Sequence, residues 1–297
     1  MTTILLTGRT GQVGHELATA LAPLGNVVAT GREQLDLLRP DSIVDCVRAV
    51  RPDIIINAAG YTAVDAAEAE PERAMRINAD APGILAEEAK RNGALLMHYS
   101  TDYVYDGSKG GLYTEDDAPN PLNAYGRSKL AGEQYIIASG CRHLIFRTSW
   151  LYADRGTNFL LTLLDLARKQ PVLRVVDDQI GSPTWAADLA QATASSLRHP
   201  RLDDLTGVYH VSAQGFVSRF EFAEAILHLA AQHHSGPWAR ITPCSTPEFP
   251  RPAQRPLRVA TSKQHFLEAF GLSLPDWRSQ LEHCLQALLR HPTAGWA

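Results

Sequence analysis

The sequence predicts an α/β fold, a doubly wound parallel sheet followed by a smaller C-terminal substrate-binding lobe. Three observations carry that prediction. Short runs rich in Ile, Leu and Val recur through the first half of the chain. Stretches of helical length separate them, and a loop with three glycines follows the first run directly. Buried strands alternating with helices are the pattern of βαβ units.

The elements follow in order. "TILLTG", "NVVATG", "DIIINAAG", "ALLMHYST" and "HLIFRTSW" read as buried strands. "VGHELATALAPLG" reads as a helix ended by Pro23 and Gly25, and "DSIVDCVRAVRP" as a second, with Asp41 at its N-cap and Pro52 as its stop. The segment from Pro71 to Gly93 is helical, with Pro82 expected to kink or divide it. After Trp150 come the helix "NFLLTLLDLARKQ", the strand "LRVVDDQ", a helix near 186–197 and the strand "GVYHVS". Helices over Arg219–Gln232 and Asp276–Leu289 complete the chain. The expected division is a dinucleotide-binding domain over 1–150, with segments near 172–212 returning to it, and mainly a substrate lobe over 151–297.

Composition narrows the function. With 45% hydrophobic and 20% charged residues in 297, the chain is an ordinary globular one. A net charge of −4 without a basic stripe argues against nucleic acid. Cys46, Cys141, Cys244 and Cys284 form no CxxC pair, which fits a reducing cytoplasm and no zinc knuckle. No apolar run approaches the ~18 residues of a membrane span, and the N-terminal residues lack the basic flank and long apolar stretch of a signal peptide, so none is expected.

The glycine loop "TGRTGQVG" sits where a dinucleotide loop belongs, between a strand and a helix. Gly8 permits the tight turn, Gly11 lets backbone approach a pyrophosphate, and Gly14 lets the helix pack closely. This spacing, G-x-x-G-x-x-G, differs by one residue from the usual Rossmann fingerprint. After the second strand, where an acidic residue would bind the ribose of NAD, stand Gly31 and Arg32. An arginine there can pair with a 2′-phosphate, so NADPH is the expected cofactor, with NADH left open. In "INAAG", the small residues Ala59 and Gly60 leave room beside a strand end; packing of a helix would use them equally well.

"AYGRSKLAGE" places Tyr125 and Lys129 four apart on one helix face. Taken alone, that spacing also fits a plain amphipathic helix. An ammonium near a phenol is expected to lower its pKa from ~10 toward a useful range. "HYSTDYVYDG" puts Thr101 and Asp102 at a strand's carboxyl end, where a hydroxyl could hold a carbonyl oxygen opposite Tyr125. A dinucleotide, a hydroxyl donor and a tyrosine together indicate hydride transfer at a C–OH/C=O centre. Arg255 is the candidate pyrophosphate contact, through its planar fork. His233-His234 and the run from Glu115 to Pro119 read as solvated segments.

"TGRTGQVG", "NAAG", "STD" and "YGRSK", in that order, resemble the extended short-chain dehydrogenase/reductase family. "RPDIIINAAGYTAVDAAE", "FRTSWLYA", "DDQIGSPT" and "GVYHVSAQG" narrow the resemblance to its dTDP-4-dehydrorhamnose reductases, over roughly residues 1 to 225. That resemblance implies NADPH-dependent reduction of the C4 ketone of dTDP-4-dehydro-β-L-rhamnose to dTDP-L-rhamnose, for surface polysaccharide. It implies Gly11, Gln12 and Val13 on the pyrophosphate, Asp36 and Leu37 on the adenine, and Gly60, Tyr61 and Thr62 on the ribose–nicotinamide side. Tyr125 would be the proton donor, with Lys129 orienting the ribose and lowering the Tyr125 pKa. Thr101, Asp102, Val64 and Trp150 would contact or shape the sugar. Two departures stand out: Arg219 where the family carries an aromatic, and Val259 where it carries a serine. The family's Mg²⁺ carboxylates are represented by Glu16, but Ala187 and Ala287 stand at the other positions, so no metal is expected. A homodimer, a related epimerase or dehydratase, and a non-catalytic NADP-binding subunit stay open at this point.

Overall fold

A computed structural model describes residues 1–234 and 236–290. Its central sheet has six parallel strands: β1 (Thr3–Thr7), β2 (Asn26–Thr30), β3 (Ile54–Asn57), β4 (Leu95–Thr101), β5 (His143–Thr148) and β6 (Gly207–His210). Their spatial order is β2-β1-β3-β4-β5-β6. Eight helices of nine residues or more accompany it among the described residues. They are α1 (Gln12–Ala20), α2 (Pro40–Val50), α3 (Ala81–Asn92), α4 (Ala124–Ser139), α5 (Phe159–Lys169), α6 (Ala186–Ser196), α7 (Arg219–His233) and α8 (Trp277–Arg290).

The continuous apolar character of the strands follows from burial on both faces. Ile4, Leu6, Ile56, Met97 and Phe146 point to one side, onto Leu17 of α1 and Leu189 of α6. Leu5, Ile55, Leu96 and Ile145 point to the other, onto Ile43 and Val47 of α2, Leu85 of α3 and Ile136 of α4. A second core gathers Leu160 and Leu164 of α5, Phe222 and Ile226 of α7, and Trp277 and Leu281 of α8. Within the 172–212 segment, α6 and β6 lie on the main sheet. Strand Val172–Val176 instead pairs in parallel with Arg240–Cys244, beside the second core.

From β1 the chain first adds β2 on one side, then crosses to β3 on the other. Such a reversal opens a crevice at the strands' carboxyl ends, and ligands of open α/β sheets bind there.

Two local expectations change. Helix α2 begins at Pro40 with Arg39 as N-cap, so Asp41 lies inside the first turn rather than capping it. Proline's fixed φ suits the first helical position, and it starts the helix two residues earlier. Around Pro82 the helix is divided, and the division takes the form of a π-helical turn over Arg76–Asp80. Pro82 has no N–H to give the Asn78 carbonyl, and Ala81 N–H instead reaches back to Arg76 O.

Candidate active site

Two adjoining cavities occupy the crevice and share Gln12, Val13, Ala59, Gly60 and Thr62. Together they bring nearly all the expected site residues to one cleft.

The outer cavity is the glycine cradle. Gly8 ends β1 with φ +74°, and a Cβ there would lie 2.7 Å from Ala59 N. Only glycine lets the β1 and β3 ends approach so closely. A Cβ on Gly14 would collide with the Gly8 carbonyl. Gly11 caps α1 with extended backbone and no side-chain cap, which leaves the first N–H groups of the helix facing the cavity. Gly11, Gln12, Val13, Arg32, Asp36, Leu37, Ala59, Tyr61 and Thr62 line it. Arg32 is exposed at the rim, 3.8 Å from Asp36. Arg9, which the sequence reading passed over, has its Nε 3.6 Å from where a Gly31 Cβ would stand. It adds a second guanidinium at the end of β2. Backbone, helix terminus and cations of this kind fit a dinucleotide carrying an extra phosphate.

The inner cavity holds the chemistry. Thr101, Asp102, Tyr125, Lys129, Val64 and Trp150 all line it. Helix α4 is started by Asn123, whose Oδ1 accepts from Gly126 N at 2.8 Å and whose Nδ2 donates to Gln254 O at 2.8 Å. That cap fixes Tyr125 and Lys129 on the cleft side. Thr101 Oγ1 accepts from Tyr103 N at 3.1 Å and donates to Asp102 Oδ1 at 3.2 Å, and the hydroxyl also bonds Tyr125. Asp102 Oδ2 accepts from Ser149 at 2.6 Å. Burial pushes the Asp102 carboxyl up to about 6, against the pull of those hydroxyls and of Arg219.

Lys129 is buried, and its Nζ donates to Tyr99 O at 2.6 Å and lies 3.0 Å from His98 Nε2. Burial pulls its pKa down to about 8. His98 Nδ1 lies 3.0 Å from Asn57 Nδ2, and Asn57 Oδ1 accepts from Thr7 Oγ1 at 2.7 Å. Burial, then the neighbouring ammonium, hold His98 well below the usual imidazole range, so it is neutral at neutral pH. The expected lowering of the Tyr125 pKa is not found. Burial raises it, and Lys129 is engaged by His98 and Tyr99 instead.

Asn78, on the π-helical turn, was not singled out from sequence. Its Oδ1 accepts from Tyr61 N at 2.8 Å, and its Nδ2 donates to Tyr61 O at 2.9 Å and Ser128 Oγ at 2.9 Å. It therefore clamps the Gly60–Tyr61 loop to α4. Asn158 Nδ2 donates to Gln12 Oε1 at 2.9 Å, joining the start of α5 to the cradle.

Arg255 is the one expected site residue outside both cavities. Its Nη1 donates to Asp65 Oδ1 and, at 2.6 Å, to Ala253 O, which anchors the helix that begins at Val64. Arg219 lines the cleft in its stead. Glu115 is less solvated than its run suggested, since its Oε1 accepts from His210 N at 2.7 Å. Glu16 lies by Asp154 and Arg155, and burial raises its pKa. Among the described residues no group of three His, Cys, Asp or Glu side chains is set to hold a metal. No helix among them is long and apolar enough to cross a membrane.

The family described as RmlD substrate binding domain matches residues 1–290. A dTDP-4-dehydrorhamnose reductase of Burkholderia thailandensis is 45% identical over 294 residues, covering 96% of this chain and 99% of that one. The crystal structure of a dTDP-4-dehydrorhamnose reductase from Clostridium acetobutylicum is 35% identical. It superposes with a TM-score of 0.89 over 97% of this chain and 99% of that one. A Bacillus anthracis dTDP-4-dehydrorhamnose reductase, solved in complex with NADP, is 36% identical with a TM-score of 0.87, over 96% and 99%. The chain belongs to the RmlD family of dTDP-4-dehydrorhamnose reductases.

Proposed function

We propose that this chain reduces the C4 ketone of dTDP-4-dehydro-β-L-rhamnose to dTDP-L-rhamnose at the expense of NADPH. One observation carries the reading: Thr101, Tyr125 and Lys129 open onto the same cleft as the glycine cradle. Relatives named for that activity over nearly the whole chain support it, as does the NADP in the Bacillus anthracis relative. The division of labour follows, with residues 1–150 holding mainly the cofactor and the later residues mainly the sugar nucleotide. Unpaired cysteines suit a cytoplasmic setting.

When bound, NADPH supplies the hydride that turns the ketone carbon into an alcohol carbon. The chain supplies everything else. Backbone N–H groups at Gly11, Gln12 and Val13 hold the pyrophosphate, Arg32 with Arg9 reads the 2′-phosphate, and Asp36 and Leu37 flank the adenine. Gly8 and Ala59 leave the room, and the Gly60–Thr62 loop borders the ribose. Val64, Asp102 and Trp150 shape the sugar pocket. The ketone oxygen lies between the Thr101 and Tyr125 hydroxyls. As that oxygen becomes an alkoxide it takes the Tyr125 proton, because an alkoxide is far more basic than a phenol. Burial keeps Tyr125 protonated until then. Lys129, held by His98 and Tyr99 O, orients the ribose of the nicotinamide, and solvent returns a proton to the Tyr125 phenolate.

Deuterium carried on the nicotinamide C4 of NADPH tests the reading. A reductase leaves the label at sugar C4 in a product seen by NMR, with one NADPH consumed per product. An epimerase returns its hydride and consumes none, and that result would sink the proposal.

A further inference from the structure

Arg219 is the first residue of α7, held there by Ser218, whose hydroxyl accepts from Glu221 N at 3.1 Å. Its guanidinium carbon sits 3.5 Å from the Trp150 ring centroid and 5.1 Å from that of Phe159. Trp150 is itself held firmly, with φ +43° and its indole packed where a Gly181 Cβ would be. The ring thus lies against both the Gly181 backbone and Arg219, at the wall of the inner cavity. Arg219 bonds the Tyr103 hydroxyl, but among the described residues no carboxylate lies within ion-pair distance of it. Asp102, the acid nearest in effect, already serves Ser149 and Thr101. Arg255 adds like charge, and its own Nη1 is taken by Asp65 and Ala253 O. Burial disfavours the charged form of Arg219. A guanidinium held in a cleft without a carboxylate is costly unless a ligand brings the anion.

We propose that Arg219 is the anion-reading residue of this cleft, and that it takes the diphosphate of the nucleotide sugar. The inference rests on the sugar-nucleotide reading of the site. A neutral deoxyhexose offers no charge, so the diphosphate is the one anion such a substrate brings. Trp150 orients the fork that meets it, and Arg255 is left a structural part.

Calorimetric titration of the full chain in the presence of NADP⁺ tests this, with dTDP, dTMP and UDP as probes. Wild-type protein binds dTDP more tightly than dTMP. Arg219→Met keeps an apolar cover over Trp150 and weakens dTDP about 10- to 100-fold, the range for a lost charge-assisted hydrogen bond. NADP⁺ affinity stays near wild type, which reports that the variant is folded. Should Arg219→Met lose NADP⁺ binding, Arg219→Gln and Arg219→Lys take its place, with Lys recovering part of the affinity that Gln loses. In turnover, the loss falls on KM for the sugar nucleotide rather than on kcat. A dTDP affinity within about threefold of wild type in folded variants overturns the proposal. So does wild-type protein that binds neither dTDP nor UDP. Arg219-dependent dTDP binding without NADPH oxidation on dTDP-4-dehydro-L-rhamnose would uphold Arg219 and overturn the reductase reading instead.

Discussion

Lys129 shows how burial tunes a single side chain. Its ammonium is disfavoured in the cleft and kept only by Tyr99 O, His98 and the more distant Glu133. Because the folded pKa is depressed to about 8, the charge is present at neutral pH and lost as pH rises through that value. The expected outcome is a kcat/KM that is flat near neutrality and falls above about pH 8, roughly tenfold per unit, in a pH–rate profile of the free enzyme. A flat profile to pH 10 would remove Lys129 as the ionising group. Tyr125 and Lys129 were legible from their four-residue spacing once Thr101 at a strand end and the glycine loop stood beside it. His98 was not, since nothing in "LLMHYST" tells which strand residue a buried lysine will meet.

At the scale of elements, the π-helical turn and the glycine cradle do related work. The extra residue in the turn swings Asn78 onto both backbone groups of Tyr61. Asn78→Ala frees that loop and leaves polar groups unpaired, about 1–3 kcal/mol each. Calorimetric titration with NADPH is expected to show weaker binding, about tenfold or more, with the far-UV dichroism intact. Gly14→Ala forces α1 off β1 by a backbone clash, so both NADPH binding and Tm fall together. Unchanged NADPH affinity in Gly14→Ala would argue against the cradle. The loop glycines were legible because glycine spacing is a property of the chain. Pro82 announced a break in the helix, but a kink and a π turn look alike from sequence, and only tertiary packing decides between them.

Across the whole molecule, a buried polar network ties the sheet to its helices. Glu133 on α4 accepts from Arg147 Nη2 at 2.6 Å on β5 and from Ser100 on β4. Arg147 Nη1 donates to Tyr105 at 2.7 Å, and that hydroxyl lies 2.8 Å from His210 Nε2 on β6. Breaking such a pair leaves a buried charge uncompensated, so Glu133→Ala is expected to cost about 3–5 kcal/mol in urea unfolding. A loss under about 1 kcal/mol would mean that the network is not a stabilising one. The alternation of strands and helices was legible from period alone, and with it the fold class. The pairing of Glu133 with Arg147, of Arg255 with Asp65 and of Gln12 with Asn158 was not. Nothing local names these partners until the sheet order brings them together, and Arg255 and Gln12 read from sequence as ligand contacts instead.

Reduction of a sugar-nucleotide ketone by NADPH in the Thr101–Tyr125–Lys129 cleft is tested by NADPH oxidation with purified wild-type and Tyr125→Phe protein, with dTDP-4-dehydro-L-rhamnose supplied in the same vessel. Wild-type protein is expected to oxidise NADPH only when the sugar nucleotide is present. Turnover in the variant is expected to be lower by roughly two orders of magnitude or more, with NADPH binding retained. Near-wild-type turnover in Tyr125→Phe, or no sugar-dependent oxidation by wild-type protein that binds NADPH, would contradict it.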